Sequence, residues 1–167
     1  MRILRWLDRW FEPIALTLTM GLIAMLIFLQ VIMRYVFQNS LVWSEELVRW
    51  LFIWTIWIGI AYAFRTGQHI RITAFTDRLP GAMALRLERA IQVAMVVFFL
   101  WIAWLGVQQA TSPIVARQSS IVMHWPLTGA KVSLTWLYMT LPFGSLLAAL
   151  RLVQRLARGE PISASEA

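Results

Sequence analysis

The sequence predicts an all-α integral membrane protein with four transmembrane helices plus short interfacial amphipathic helices. Three observations lead there. Of 167 residues, 60% are hydrophobic and 14% charged, with a mean hydropathy of +0.68. Soluble domains run at about 45–50% apolar and about 25% charged, so a globule of this size could not hide that much apolar surface. The charges lie between long uncharged windows, and the basic ones gather on one side of the implied crossings. Finally, there are ten Trp, a residue that favours the wet–dry boundary of a bilayer. Composition thus excludes a soluble domain and a disordered chain, and the absence of Cys excludes a disulfide scaffold or a Cys-based metal site. The net charge of +7, carried by fourteen Arg and one Lys, would suggest nucleic acid in a soluble chain. Between membrane segments it sets topology instead, and no nucleic acid partner is expected.

Spanning about 30 Å of hydrocarbon takes about 20 helical residues. Residues 1–12 come first: Ile3, Trp6, Leu7 and Trp10 share one helical face and Arg2, Arg5 and Arg9 another. That pattern predicts a short helix lying in the interface, with Pro13 turning the chain inward, and an uncleaved anchor rather than a signal peptide. The first span is residues 13–33, free of charge. The second charge-free window, 50–64, has only 15 residues, so the helix must start near Ser44 and take in Glu45, Glu46 and Arg49; the span is 44–64. Ile72, Phe75 and Leu79 then predict a surface helix that Pro80-Gly81 ends. The third span is 90–116, and the fourth is 132–150, with a kink expected at Pro142. Between them, residues 111–131 carry Pro113, Pro126 and Gly129, and their apolar 121–125 stretch suits the interface or a partner. Residues 1–158 are read as a single four-helix membrane domain and 159–167 as a disordered cytoplasmic tail. Eleven of the fifteen basic residues fall on the side of the N-terminus, the second loop and the tail, so the positive-inside rule places both termini in the cytoplasm.

The strongest cluster joins the first two spans: Arg34-Tyr35, Trp43-Ser44-Glu45-Glu46 and Arg49. Ser44 suits the N-cap of the second helix, and two carboxylates suit its first turn. Arg49 is four residues after Glu45 and three after Glu46, within pairing distance of either. As a capped helix with a surface ion pair this would contribute little. At the membrane boundary, where an unpaired charge costs a few kcal/mol, the same residues are expected to pair, with Arg34 as a second partner. The reading is a structural electrostatic clasp, completed within the chain or by another subunit.

Trp43, Trp50, Trp54 and Trp57 form one helical stripe. The first two suit interfacial anchoring; Trp54 and Trp57 lie deeper and suit packing on lipid or another protein's helices. Gly59/Ala63, Gly106/Ala110 and Gly144/Ala148 are small-xxx-small pairs, each weak alone. His69 and His124 fall on opposite sides of the membrane, which argues against a shared haem. There is no H-E-x-x-H, phosphate-binding loop or nucleophile elbow, and no enzyme activity is expected. No window has a charge at its centre, which is thin equipment for transport by this chain alone.

Arg34-Tyr35-Val36-Phe37, Trp43-Ser44-Glu45-Glu46-Leu47-Val48-Arg49, Phe52, Trp54, Gly59, Ala61 and His69-Ile70 resemble the small membrane subunit, of DctQ type, of tripartite ATP-independent periplasmic (TRAP) transporters. Trp136-Leu137-Tyr138 and Leu141-Pro142-Phe143-Gly144 also fit. Thr73 departs from the pattern, since an acidic residue often follows the His-Ile pair. The resemblance implies a bacterial inner-membrane scaffold subunit. Its partners would be a large membrane subunit, where sodium and a small organic acid anion bind, and a periplasmic substrate-binding protein. It implies that Glu45, Glu46, Arg34 and Arg49 hold the scaffold or order an interfacial phospholipid. Tyr35, Trp43, Trp54, Trp57 and His69 complete the interface or clasp set. No cofactor is expected in this chain. The competing readings are a membrane anchor for a redox complex and a self-associating four-helix membrane protein.

Overall fold

The computed structural model describes residues 2–67, 81–125 and 128–159, with side chains from residue 10 in the first stretch and from residue 83 in the second. Four long helices dominate: α1 (Arg2–Tyr35), α2 (Val42–Thr66), α3 (Gly81–Ala110) and α6 (Thr140–Arg158). Between α3 and α6 lie a one-turn helix α4 (Pro113–Ala116), a two-stranded hairpin of β1 (Ser119–His124) and β2 (Lys131–Ser133), and a second one-turn helix α5 (Thr135–Tyr138). Trp10–Tyr35, Val42–Thr66, Met83–Ala110 and Thr135–Arg158 are long and apolar enough to cross a membrane. The chain is therefore an all-α membrane protein carrying one small hairpin.

The long helices stand in a row. α1 packs on α2, α2 on α6, and α6 on α3, and among the described residues no other pair of them makes a comparable contact. α6 is thus flanked on both sides, and 44% of its apolar window is buried, against 6% for α1 at the edge. The core runs along the middle of the row: Ala61 and Phe64 of α2, Phe99 of α3, and Ala148, Ala149 and Leu152 of α6. Phe64 meets Phe99 edge-on at 5.4 Å between ring centroids. In lipid no hydrophobic effect pulls helices together, so close backbone approach and dense packing do. Gly144 of α6 lies directly against Trp57 of α2, and Gly106 of α3 against Pro142 and Leu141 of α6; a Cβ added at Gly106 would sit 2.9 Å from Pro142 Cδ. Gly106/Ala110 and Gly144/Ala148 therefore line real helix contacts, with Ala110 and Ala148 buried.

Several boundaries differ from the sequence expectation, each for a physical reason. α1 does not turn at Pro13; one helix runs from Arg2 to Tyr35. Pro13 removes a single N–H from the ladder, and the neighbouring Glu12 is fixed to two other helices, which holds the stretch in line. α2 starts at Val42 rather than Ser44, and Ser44 is not its cap: the cap position is Leu41, and the Ser44 hydroxyl donates to the Leu41 carbonyl at 2.8 Å. The third helix ends at Ala110, six residues short of 116. Pro113 biases Ser112 toward extended backbone (φ −61°, ψ 143°), and the Ser112 hydroxyl caps α4 by accepting from Val115 N–H. The fourth helix does not begin at 132. Residues 131–133 pair with β1, and the helix runs past 150 to Arg158. Only Met139 separates α5 from α6, and its backbone stays helical (φ −66°, ψ −15°), so Thr135–Arg158 forms one span with Pro142 inside it. Gly67 (φ 73°) closes α2 with its N–H on the Ala63 carbonyl, and Gly159 (φ 69°) closes α6, both in the left-handed conformation glycine adopts at no steric cost. The expected surface helix at 72–79 and the tail from 160 lie outside the described residues.

Gly144→Ala forces a methyl into Trp57 and is expected to lower stability by about 1–3 kcal/mol. A Cβ added at Gly21 would meet no atom within 4 Å. Gly21→Ala is therefore expected to be neutral or to stabilise by up to about 1 kcal/mol. Reversible unfolding of the purified chain in mixed micelles separates the two; equal effects would contradict the Trp57 contact.

Candidate functional site

The turn between α1 and α2 and the hairpin meet at one end of the row. Gln30, on the last turns of α1, donates from Nε2 to Glu45 Oε1 at 2.5 Å, and its Oε1 lies 3.2 Å from the buried Ser44 hydroxyl, whose proton it shares with the Leu41 carbonyl. Glu46 Oε2 accepts from Ser120 Oγ of β1 at 2.6 Å. The same Ser120 oxygen accepts from the backbone N–H of Met123 at 2.8 Å and of Val122 at 3.2 Å. Ser120 is 2% exposed, so this hydroxyl ties the hairpin to α2 in a protected position. The two carboxylates thus fasten α2 to α1 and to the hairpin through neutral partners.

Within the chain, then, the two carboxylates are held by neutral partners, whereas the expected clasp allows completion by another subunit, which the single chain does not contain. Arg34 and Arg49 are exposed, and among the described residues no ion pair within 4 Å joins either to Glu45 or Glu46. Arg49 does line a groove of about 400 Å³ with both carboxylates and with Ile121, Val122 and Leu134. Tyr35 is three-quarters exposed, and Trp43 is 40% exposed beside the hairpin while Trp50 is buried. Trp54 and Trp57 are half-buried against their own chain rather than left as a free ridge. Trp54 meets Phe143 at 5.5 Å, and Trp57 covers Gly144. The reason is the missing side chain at Gly144, which removes bulk where the indole needs space. His124 is exposed at the end of β1, and His69 lies outside the described residues.

A second cluster, which no motif in the sequence points to, sits at the other end. Glu12 of α1 has no exposed side-chain surface. Its Oε2 accepts from Arg65 Nη1 of α2 at 2.8 Å, and its Oε1 accepts from Arg151 Nε of α6 at 2.5 Å. Arg151 reaches Gln154 Oε1 through Nη1 at 2.7 Å. Arg155, 6% exposed, donates from Nη1 to the Phe64 carbonyl at 3.0 Å, satisfying a backbone acceptor in the last turn of α2. One carboxylate therefore joins three helices. In the sequence Arg65 and Arg151 look like topology labels because they follow charge-free windows. A usable signal exists nonetheless: Glu12 is the only acidic residue between Asp8 and Glu45. Two crossings separate residue 12 from residue 65, and two more lead to residue 151, so all three return to the same end.

A buried ion costs several kcal/mol to desolvate, and its partners recover that only when the geometry is complete. Glu12→Gln keeps the shape and removes the counter-charge of two guanidiniums, so it is expected to destabilise by about 3–5 kcal/mol. Glu45→Gln, at an exposed position, is expected to stay within about 1 kcal/mol. Unfolding of the two variants in the same micelles measures the difference; comparable losses would show that the Glu12 pairs add nothing beyond a surface contact.

A family model for the DctQ component of tripartite ATP-independent periplasmic transporters matches residues 23–160, which takes in both the carboxylate cluster and the arginines of α6. The chain is 30% identical over 145 residues to the sialic acid TRAP transporter small permease protein SiaQ of Vibrio cholerae serotype O1, covering 87% of this chain and 78% of that one. It is 38% identical over 91 residues to the ectoine TRAP transporter small permease protein TeaB of Halomonas elongata, covering 53% and 47%. It is also 30% identical over 163 residues to the isethionate TRAP transporter permease protein DctMQ of Oleidesulfovibrio alaskensis; that match spans 93% of this chain but only 24% of the longer protein. Four spanning helices and a match across most of the chain make this a multi-pass membrane protein that belongs to the DctQ family of TRAP transporter small permease subunits.

Proposed function

We propose that the chain is the fixed scaffold subunit of a TRAP transporter that imports a small organic acid anion. Its large membrane partner holds the substrate and the sodium ions that drive uptake, and a periplasmic binding protein delivers the substrate to the assembly. The chain itself carries out no chemical conversion. It sits in the bacterial inner membrane with both termini in the cytoplasm, in line with the excess of Arg on that side of the crossings. The Glu45/Glu46 end, with Arg34 and Arg49 exposed beside it, is then periplasmic and contacts the partner or a boundary phospholipid. Arg34, Tyr35, Trp43 and Arg49 are the residues assigned to that contact set; His69 is assigned to a contact at the opposite, cytoplasmic end.

The observation that supports a scaffold role is the row itself. Helices fastened at both ends, by Glu12 and by the hairpin, form a broad thin body with apolar edges open to lipid and to a neighbour. Such a body has a large lateral footprint for its mass, which suits an element that must stay still while a partner domain moves. Relatives named for sialic acid, isethionate and C4-dicarboxylate support an organic acid as cargo.

Charge removal at Glu45 or Arg49 is expected to lower co-purification of the large membrane subunit by at least about tenfold, the effect of losing about 1.4 kcal/mol at an interface, and uptake in parallel. Normal co-purification with failed uptake would rule out an assembly role for these residues. A reporter fused after Ala167 is expected to be active only in the cytoplasm; periplasmic activity would reverse the topology.

A further inference from the structure

At the end of the row that holds Glu12, a recess of about 340 Å³ opens between α1 and α2. Trp10 and Pro13 of α1 and Tyr62, Arg65 and Thr66 of α2 line it. The volume lies within the range of about 300–1,000 Å³ usual for small-ligand sites. The sequence fixes its depth. The charge-free windows 13–33 and 50–64 both end here, so the recess sits at the boundary of the hydrocarbon. Trp and Tyr favour that level, which is also where the phosphates of one leaflet lie.

A cation lines this recess directly. The Arg65 side chain is 23% exposed, although Glu12 holds its Nη1 at 2.8 Å from the buried side. Glu12 also accepts from Arg151, so one carboxylate is divided between two guanidiniums and neutralises Arg65 only in part. With Nη1 occupied, Nε and Nη2 remain, and among the described residues neither has a partner. Those two N–H groups point the same way and form the edge with which a guanidinium grips two oxygens of a phosphate. Tyr62 stands three residues before Arg65, on the same face of α2. Among the described residues its hydroxyl has no hydrogen-bond partner either. Thr66 differs, because its hydroxyl donates to the Tyr62 carbonyl at 3.0 Å.

We infer that this recess is a phosphate site, in which the Nε/Nη2 edge of Arg65 takes two phosphate oxygens and the Tyr62 hydroxyl a third. The anion supplies the part of the counter-charge that Glu12 gives to Arg151. Two sources offer the same chemistry: the phosphodiester of an anionic phospholipid and soluble phosphate. The depth of the recess favours the lipid. The site lies at the opposite end of the row from Glu45, Glu46 and Arg49. It rests on the chain spanning a membrane, but not on its partner, its cargo or which end faces the cytoplasm.

Native mass spectrometry of the full chain, released from vesicles of phosphatidylglycerol mixed with phosphatidylcholine, tests this. The chain is expected to retain phosphatidylglycerol in preference to phosphatidylcholine. Tyr62→Phe leaves the Arg65–Glu12 pair in place and is expected to cut that preference about fivefold, the effect of one hydrogen bond. Thr66→Glu puts a carboxylate into the recess beside Arg65 and is expected to abolish it. Arg158→Gln removes an exposed cation at the same end that does not line the recess, and is expected to leave the preference unchanged. Circular dichroism checks that each variant keeps its helices. In a second arm, inorganic phosphate is added to the chain in lipid-free detergent; an adduct that Thr66→Glu removes would make soluble phosphate the ligand of the same site. Binding that is unchanged in Tyr62→Phe or in Thr66→Glu would overturn the assignment. So would an equal loss in Arg158→Gln, or an unaltered chain that takes neither ligand.

Discussion

One carboxylate organises this membrane domain. Glu12 is buried where α1 enters the row, and each of its oxygens accepts from a different arginine, one on α2 and one on α6. Single hydrogen bonds, Arg155 to the Phe64 carbonyl and Gln30 to Glu45, also link the long helices. Their facing surfaces are alanine, glycine and large apolar side chains, which tolerate sliding, and lipid competes for the same contacts. A charged group that cannot be left alone in a low-dielectric site does not tolerate sliding. The Glu12 contacts therefore determine how far along its axis each of three helices sits. That position is consistent with the close approach of Gly144 to Trp57.

The opposite end uses weaker and more local fastening. Glu45 and Glu46 reach neutral groups, an amide and a hydroxyl, and the hydroxyl of Ser120 is already occupied by two backbone N–H groups of its own strand. This leaves the arginines of the cluster exposed rather than consumed by internal pairs. A subunit whose task is to bind a neighbour benefits from that division. Internal order comes from uncharged donors, and the cations remain accessible at the surface.

Much of the fold is legible in the sequence because bilayer thickness and uncharged windows are strong constraints. All four spans can be found there, and the short second window correctly implies that α2 carries Glu45, Glu46 and Arg49 inside the helix. The assumption that charge marks the end of a span is what misleads. Arg151 and Arg155 continue α6 because Glu12 and the Phe64 carbonyl receive them, and those partners are far away in sequence. The hairpin escapes for a related reason: its strands are only six and three residues, and their apolar stretch reads equally well as interface. The carboxylate cluster is visible as residues but not as contacts. Its actual partners, Gln30 and Ser120, are common polar residues that no spacing rule singles out.

The order of helices in space is α1, α2, α6, α3, whereas the chain makes α3 before α6. Among the described residues α3 therefore makes most of its helix contacts with α6, beside the Phe64–Phe99 ring contact with α2. Residues 90–110 of α3 carry no charge, so that stretch needs no charged partner in lipid. α6 has the opposite character. With Arg151, Arg155 and Arg158 in its second half, it enters a gap already flanked by groups that receive two of them. α6 is thus the long helix with the most of its surface against protein, and it joins α3 to the rest of the row.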